Sequence, residues 1–409
     1  MHGAMIACRA GPAAPGSRRC RVPVILSDPR PPQPHMASPP GPFPWRDGNQ
    51  ARLLVDGDRF FPAIFADLEQ ARRRVWILLY LARRGQVLDA VARRLADAAR
   101  RGVDVRLLLD DFGTRGIDRE NRHRMEAAGV RIARYNPLRP SRWLDNLFRD
   151  HRKLILVDTA AYVGGLGFTD DFLPGAVPRP WRETVLRLTG PCVADWERLF
   201  RAAWRTWSPD PLPPPSPIPP PAGRLPGRLV CSGHHLRSDI RRSAIARMRG
   251  ARRRIWLATA YFVPSRRFRR RLRQAAQRGV DVRILLPGPF IDHPAVRHAG
   301  HRFYARLLRA GVRIFEYQPR FTHQKVLLCD DHVSLGSANF DRWNLRWNEE
   351  ANQELRDPEF AREVAAMLKR DFAQSRELDL ATWRRRPWRE KWLDFYFSLI
   401  DRWLLRLLG

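Results

Sequence analysis

The sequence contains very little lysine. Of its 74 basic residues only four are lysine, at positions 153, 325, 369 and 391, and the others are arginine. Arginine presents a rigid planar fork of donors, whereas lysine is a compact point charge with rotatable donors. Two of the four, Lys153 and Lys325, stand two residues after a histidine in matching surroundings. We expect these two positions to require a point charge.

Cysteine is also scarce and shows no pattern. The five cysteines are scattered without C-x-x-C spacing, which argues against a disulfide scaffold and a structural zinc site and fits a reducing compartment. They are Cys8, Cys20, Cys192, Cys231 and Cys329. The remaining histidines show no metal-site spacing either, so no metal or cofactor is predicted. Surface or loop positions are expected for His234, His235, His293, His298 and His301.

Long apolar runs are missing. No run approaches the roughly 18 residues of a membrane-spanning helix, and the longest, residues 75–82, has the length of a core strand. The amino terminus lacks the apolar segment of a secretory signal. Residues 1–47 are rich in Pro, Gly and Arg, so they are predicted to be disordered. Alternatively, the assigned start is too early and Met36 is the true initiator.

Acidic residues are too few to balance the basic ones. The formal net charge of +32 favours polyanionic partners, either nucleic acid or an anionic lipid surface. Charge alone does not choose between them.

The chain contains an internal repeat. ARRRVWILLYLA, RGVDVRLLLDD and HRKLILVDTAAYVGG in the first half correspond to ARRRIWLATAYFV, RGVDVRILLPG and HQKVLLCDDHVSLGS in the second. β-Branched runs alternate with helical patterns, which predicts two α/β/α sandwich lobes related by a pseudo-twofold axis, each with a mixed sheet. The predicted divisions are lobe one at 48–207, a semi-rigid Pro-rich linker at 208–227, lobe two at 228–380 and a basic aromatic amphipathic helix at 381–409.

Each lobe carries a His-x-Lys motif at the start of an apolar strand. The motif continues with an aspartate five residues after the lysine and then with small residues that allow close approach of a ligand. Period-2 alternation places each His and Lys on one face of the strand. The members are His151, Lys153, Asp158 and Gly165 in lobe one, and His323, Lys325, Asp330, Ser337 and Asn339 in lobe two.

Two such motifs suit metal-independent exchange of phosphodiesters. One neutral imidazole can attack phosphorus while the other, protonated, donates to the leaving alkoxide. The lysines and the Ser and Asn donors can stabilise charge on the phosphoryl oxygens. A single His-x-Lys pair is usually an ordinary surface pair, but a duplicated motif with matching Asp and Gly spacing favours one shared site between the lobes.

The sequence resembles the phospholipase D superfamily, and within it the bacterial cardiolipin synthases that lack amino-terminal membrane spans. The resemblance rests on HRKLILVDTAAYVGG, ATAYFVPS and HQKVLLCDDHVSLGSANFDRWNLRWNEEAN. It implies that His151 is the nucleophile and His323 the general acid, and that the motif aspartates Asp158 and Asp330 serve architecture rather than bond breaking. Glu183 and Glu350 follow the two motifs, and we expect them to orient the histidines.

The resemblance also marks a departure and a function. Gly167 stands where such proteins often have Asn, so lobe one lacks a phosphoryl-oxygen donor. The expected activity is transfer of a phosphatidyl group from phosphatidylglycerol or phosphatidylethanolamine to a hydroxyl of phosphatidylglycerol, which forms cardiolipin. The expected location is cytoplasmic, peripheral on the inner face of a bacterial cell membrane. Alternatives of the same fold are a phospholipase D-type hydrolase and a nuclease. The aromatic, basic tail favours anionic phospholipid and a membrane surface over nucleic acid, although docking of the tail on the core is an equal alternative.

Overall fold

In the computed structural model, each half of the chain folds around the same pattern of strands and helices. The structure describes residues 43–139, 141, 145–233, 238–341 and 344–407, and side chains are not described at 344, 346 and 401–407. Apolar runs such as Val75–Leu79 are buried on both faces, as expected for central strands between helical layers. All described residues belong to one compact unit, residues 37–409.

The described residues of lobe one form seven strands and four α-helices. In chain order they are β1 (Arg46–Val55), α1 (Gly57–Gln70), β2 (Arg74–Leu79), α2 (Gln86–Arg100), β3 (Asp104–Asp110), α3 (Arg119–Ala127), β4 (Arg131–Tyr135), β5 (Leu154–Val157), β6 (Ala160–Gly164), β7 (Thr184–Thr189) and α4 (Cys192–Trp207).

The described part of lobe two repeats this order, with two helices where lobe one has α3. It adds a short helix before the last strand of the repeat, an edge strand and two carboxy-terminal helices. Its elements are β8 (Leu225–Ser232), α5 (Asp239–Gly250), β9 (Arg254–Thr259), α6 (Arg266–Gln277), β10 (Asp281–Pro287), α7 (Pro294–His301), α8 (Tyr304–Leu308), β11 (Arg313–Tyr317), β12 (Lys325–Cys329), β13 (His332–Gly336), α9 (Asn344–Trp347), β14 (Glu350–Arg356), α10 (Pro358–Ala373), β15 (Ser375–Leu378), α11 (Leu380–Arg384) and α12 (Trp388–Leu407).

The strands join in one sheet with the order β15-β11-β10-β9-β12-β13-β14-β8-β1-β7-β6-β5-β2-β3-β4. In each lobe three neighbouring strands are parallel (β2, β3, β4 and β9, β10, β11) and the others pair antiparallel. The order repeats outward from the antiparallel pair β1 and β8, which is where a pseudo-twofold axis would pass. The predicted mixed sheet and repeated lobes are confirmed.

Three apolar clusters make the sandwich. One lies on the sheet face shared by both lobes, where α4 and α10 pack. The other two cover the opposite face, under α1 and α2 in lobe one and under α5 and α6 in lobe two. The shared cluster is fastened across the lobes by a hydrogen bond of 2.8 Å from the Trp196 indole N–H to Gln353 Oε1.

The Pro-rich segment is a strap bound to lobe one. Prolines cannot donate, but their carbonyls accept, and Arg106 donates to Pro211 O (2.7 Å) while Arg201 donates to Pro213 O (2.5 Å). The predicted linker of 208–227 ends earlier, because β8 begins at Leu225. The predicted disordered segment of 1–47 lies mostly outside the described residues. Its predicted end at residue 47 is wrong, because Phe43 is buried and β1 begins at Arg46.

The motif aspartates tie the strands together at the far end from the motif histidines. Asp158 accepts three backbone N–H groups at 2.9–3.0 Å, from residues 72, 73 and 74, and Asp330 accepts the corresponding three from residues 252, 253 and 254. Both aspartates have positive φ, 49° and 50°. Since β5 has four residues, Asp158 lies roughly 13 Å along the chain from the histidine end. This placement supports an architectural role.

We predict that Asp330→Ala destabilises the protein by about 2–3 kcal/mol, because three N–H groups lose an ionised acceptor. Backbone hydrogen bonds hold the pKa of Asp330 below its ordinary 3.8 despite partial burial. The stabilisation is therefore complete above pH 3.8 and is lost as the pH falls through the folded pKa. Thermal unfolding from pH 3 to 7 measures this. The neighbouring Asp331→Ala is the control, and an equal effect from both would contradict the role.

Candidate active site

The histidine and lysine side chains of both His-x-Lys motifs lie in the same buried site. His151 and Lys153 lead into β5, and His323 and Lys325 lead into β12. All four side chains are buried. Each lysine ammonium donates to the carbonyl of its own motif histidine, Lys153 to His151 O at 2.5 Å and Lys325 to His323 O. The lysines are thereby fixed beside the histidine backbones.

Backbone hydrogen bonds join each motif histidine to the other lobe. His151 N–H donates to Glu349 O (3.0 Å), and His323 N–H donates to Arg182 O (2.8 Å). Return bonds run from Glu349 N–H to Arg149 O (2.9 Å) and from Arg182 N–H to Phe321 O (2.8 Å). The residues that follow Arg182 and Glu349 are the predicted orienting glutamates, so each is delivered to the opposite lobe.

The carboxylates pair with the histidines across the lobes. Glu350 Oε1 of lobe two lies 2.8 Å from His151 Nδ1, and Glu183 Oε2 of lobe one lies 2.6 Å from His323 Nδ1. A carboxylate acceptor selects the Nδ1–H form, which leaves the Nε2 lone pair of each imidazole available. Neither lobe alone therefore carries a complete histidine site.

The small residues after each motif fit around these carboxylates. Ser337 Oγ donates to Glu350, and it also accepts from Ala351 N–H at 3.1 Å. In lobe one a Cβ on Gly165 would lie only 2.0 Å from Glu183 Oε2, so a serine there would collide with the carboxylate. The position of each glutamate therefore explains why lobe one has Gly165 where lobe two has Ser337. Phosphate binding by Gly165 or Ser337 stays a prediction.

Lobe two supplies an amide donor that lobe one lacks. Asn339 is fully buried, its Oδ1 lies 3.3 Å from Thr259 Oγ1, and its Nδ2 has no hydrogen-bond partner in the described part of the chain. At the matching position in lobe one, a Cβ on Gly167 would lie 3.0 Å from Leu81 Cβ and Leu81 O. Leu81 thus takes the space of an amide side chain, and the halves are unequal.

Burial and the two lysines keep the histidines neutral. Desolvation lowers the pKa of both His151 and His323 well below the ordinary 6.5, and Lys153 and Lys325 lower it further. Burial also lowers the pKa of Lys153 to about 7 and of Lys325 to about 8. A bound anion would offset the lysine charges and so favour an imidazolium.

The pKa values of the two glutamates are also shifted from their ordinary value. Burial raises the pKa of Glu350 to about 8 and of Glu183 to about 7, and both lysines oppose this rise. The site therefore couples two carboxylates, two ammonium groups and two imidazoles in a dry setting, where small changes in charge move protons between them.

The walls beside the two histidines differ. Trp181 and Phe321 lie 5.1 Å and 5.7 Å from the His323 ring, measured between ring centroids. Tyr80 lies 4.8 Å from the His151 ring and 5.0 Å from the Lys153 ammonium. Sequence reasoning missed these aromatic neighbours. The two-residue period of extended chain could have revealed two of them. Trp181 stands two residues before Glu183, and Phe321 stands two residues before His323, so each shares the face of the residue that follows it.

Comparisons with known proteins agree with this geometry. The family model described as "Cardiolipin synthase, PLD-like domain" matches residues 64–204 and 244–372, one segment in each lobe. Cardiolipin synthase A of Pseudomonas putida (strain W619) is 36% identical over 347 residues, which cover 83% of this chain and 71% of that protein. Cardiolipin synthase A of Pseudomonas aeruginosa (strain LESB58) is 35% identical over 342 residues, covering 80% and 68%.

Solved structures share the fold at low sequence identity. The phosphatidylserine synthase of Haemophilus influenzae Rd KW20 superposes with a TM-score of 0.67 at 14% identity, covering 90% of this chain and 97% of that one. The polyphosphate kinase of Porphyromonas gingivalis gives a TM-score of 0.57 at 18% identity, covering 81% and 49%. With the fold shared and the family model matched in both lobes, the chain belongs to the cardiolipin synthase family of phospholipase D-like proteins.

Proposed function

We propose that this protein transfers a phosphatidyl group from a phospholipid donor to a hydroxyl of phosphatidylglycerol, through a covalent phosphohistidine, and so forms cardiolipin. The observation that carries the proposal is the crossed pairing of His151 with Glu350 and of His323 with Glu183. It presents two imidazole Nε2 atoms from different lobes to one buried site that also holds two lysines. The named activity of the Pseudomonas relatives supports the choice of lipid.

In the first step, Nε2 of His151 attacks the phosphorus of the donor lipid. An N–P bond forms, and the P–O bond to the headgroup alcohol breaks. His323, protonated while the anionic phosphodiester offsets the lysine charges, gives its Nε2 proton to the departing alkoxide. Lys153, Lys325 and the free Nδ2 of Asn339 stabilise the nonbridging oxygens as charge develops.

In the second step, the acceptor takes the place of the departed alcohol. Its hydroxyl gives a proton to the now neutral His323, attacks phosphorus and breaks the N–P bond, which returns His151 to its starting state. Water in the acceptor's place would give phosphatidic acid instead. The aromatic residues around His323 provide an apolar wall that disfavours water and suits a lipid.

Labelled phosphatidylglycerol in anionic vesicles tests the proposal. We expect cardiolipin and glycerol in equal amounts. We also expect a chelator to leave the chemical step unchanged, since the histidines, the lysines and Asn339 supply every role. If phosphatidic acid were the only product, the activity would be hydrolysis rather than transfer. Cleavage of DNA with no lipid product would overturn the lipid assignment.

We further propose that α12 holds the protein on the cytoplasmic face of the cell membrane. Among the described residues, every helix is either too short or too polar to span a membrane. Two polar residues of α12 face the protein, whereas most of the large apolar side chains that the structure describes on this helix are exposed. Asp394 and Ser398 are buried against α7, where Asp394 accepts from two histidines and Ser398 O accepts from Arg302.

The outward face of α12 is aromatic. Among the side chains that the structure describes on α12, six apolar ones are 43–66% accessible: Trp388, Trp392, Leu393, Phe395, Tyr396 and Leu399. Exposed Arg384, Arg385, Arg389 and Lys391 flank this surface. Aromatic side chains bordered by basic ones are typical of a helix that lies in an anionic interface. Docking on the core and contact with membrane, which the sequence posed as alternatives, are thus compatible on opposite faces.

Replacing Trp388 and Trp392 with Ala is predicted to weaken binding to anionic vesicles at least about tenfold, because each indole loses roughly 1.5–3 kcal/mol of apolar transfer. Sedimentation with vesicles measures the partition. Ile218→Ala is the matched control, since Ile218 is 57% exposed on the strap away from α12. Unchanged binding of the double variant would refute this surface.

A further inference from the structure

Two histidines and an aspartate meet where α12 docks on lobe two. His298 Nδ1 and His301 Nδ1 each lie 2.8 Å from the same oxygen, Asp394 Oδ1, and the three donor atoms lie within 4.8 Å of one another. The histidines are three residues apart and so share one face of α7. The expectation of a surface or loop position is wrong for His301, which is buried in a helix.

Hydrogen bonding alone does not satisfy His301. Its Nδ1 faces Asp394, while its Nε2 is buried without a hydrogen-bond partner and lies 4.0 Å from the carboxylate of Glu316. If Nδ1 carries the proton of a neutral ring, the Nε2 lone pair faces a second carboxylate. A cation on Nδ1 removes this conflict, because the proton then moves to Nε2 and points toward Glu316.

The surroundings resemble the outer shell of a metal site. Asp394 Oδ2 accepts from Arg386 at 2.8 Å, and Glu316 accepts from Arg297 at 3.0 Å, so both carboxylates are held in place. Aromatic rings enclose the histidines, with Trp383 at 5.1 Å from His301 and Phe397 stacked at 5.6 Å on His298.

We propose that His298, His301 and Asp394 bind one Zn²⁺ ion that fastens α12 to lobe two. Two imidazoles and one carboxylate, with a fourth position for water, match the ligand types and number that zinc takes in proteins. The site is separate from the motif histidines and does not rest on the proposed phosphatidyl transfer. The sequence did not reveal it, because Asp394 lies 93 residues beyond His301.

The test uses the full-length protein and metal ions alone. After dialysis with ZnSO₄ and gel filtration, elemental analysis is expected to give one zinc per chain. Co²⁺ in place of zinc is expected to give visible d–d absorption of four-coordinate strength, and added zinc to raise the thermal midpoint. A wild-type protein with less than a tenth of an equivalent of zinc and no cobalt spectrum would overturn the proposal.

Two variants separate a metal site from a hydrogen-bonded clamp. Asp394→Asn keeps the size of the side chain and an acceptor oxygen but removes the anionic ligand, so it is expected to lose at least tenfold in zinc affinity. His293→Ala, at an exposed histidine just before α7, is expected to bind zinc as the wild type does. Equal zinc affinity in Asp394→Asn and wild type would also overturn the proposal.

Discussion

Replacing either His151 or His323 with Ala is expected to reduce phosphatidyl transfer by at least about 10³-fold, because one change removes the nucleophile and the other the acid and base. The double variant is expected to be little worse than either single one, since the residues act as a unit. Thin-layer separation of labelled lipid products measures the rates. The exposed His293→Ala is the control. Near-wild-type activity in either single variant would contradict a site shared between the lobes.

The two histidine variants are expected to differ when the leaving group needs no proton. With a phosphodiester that releases p-nitrophenolate, His323→Ala should keep most of the burst of p-nitrophenolate, whereas His151→Ala should show none. Stopped-flow absorbance follows this burst. The opposite assignment, with the burst retained only in His151→Ala, would exchange the roles of the two histidines.

Glu350→Gln and Glu183→Gln are expected to lower transfer by about 10²–10⁴-fold, because a glutamine in place of a buried carboxylate no longer selects and stabilises the required imidazole state. The crossed geometry gives a sharper expectation. Glu350→Gln should lose the p-nitrophenolate burst as His151→Ala does, and Glu183→Gln should keep it as His323→Ala does. Replacing either glutamate is thus expected to impair the histidine of the other lobe.

Glu354→Gln is the matched control for these variants. Glu354 lies on β14 with Glu350 and is equally buried, but it pairs with Arg228 rather than with a motif histidine. It is expected to change stability and to leave the rate per folded molecule within about twofold. A burst lost in Glu183→Gln and kept in Glu350→Gln would show that each glutamate acts within its own lobe, against the structure.

The repeat, the mixed sheets and the two His-x-Lys pairs were predictable because they are local. Strand period fixes which residues share a face, and the matching segments fix the order of elements. The aromatic wall beside His323 was within reach of the same rule, since Trp181 and Phe321 have the parity of Glu183 and His323. Family resemblance added Glu183 and Glu350, which no spacing rule selects.

The crossed assignment of the glutamates was not predictable from one lobe. Each glutamate follows its own motif in the chain, and only the packing of β6, β7, β13 and β14 shows that it serves the opposite histidine. The same holds for the strap, whose proline carbonyls take part in hydrogen bonds that composition does not reveal. The cluster of His298, His301 and Asp394 likewise depends on how α12 packs. The sequence of α12 shows that Asp394 is polar but does not show which residues it contacts.

Trapping the covalent intermediate tests the central claim most directly. The protein is mixed with donor lipid labelled in its phosphate, quenched in base to preserve phosphohistidine, and digested for mass spectrometry. We predict label on His151 alone, absent from His151→Ala and present in Glu354→Gln. Label on another residue, equal label on both motif histidines, or full turnover with no labelled histidine would contradict one active site built from two unequal halves.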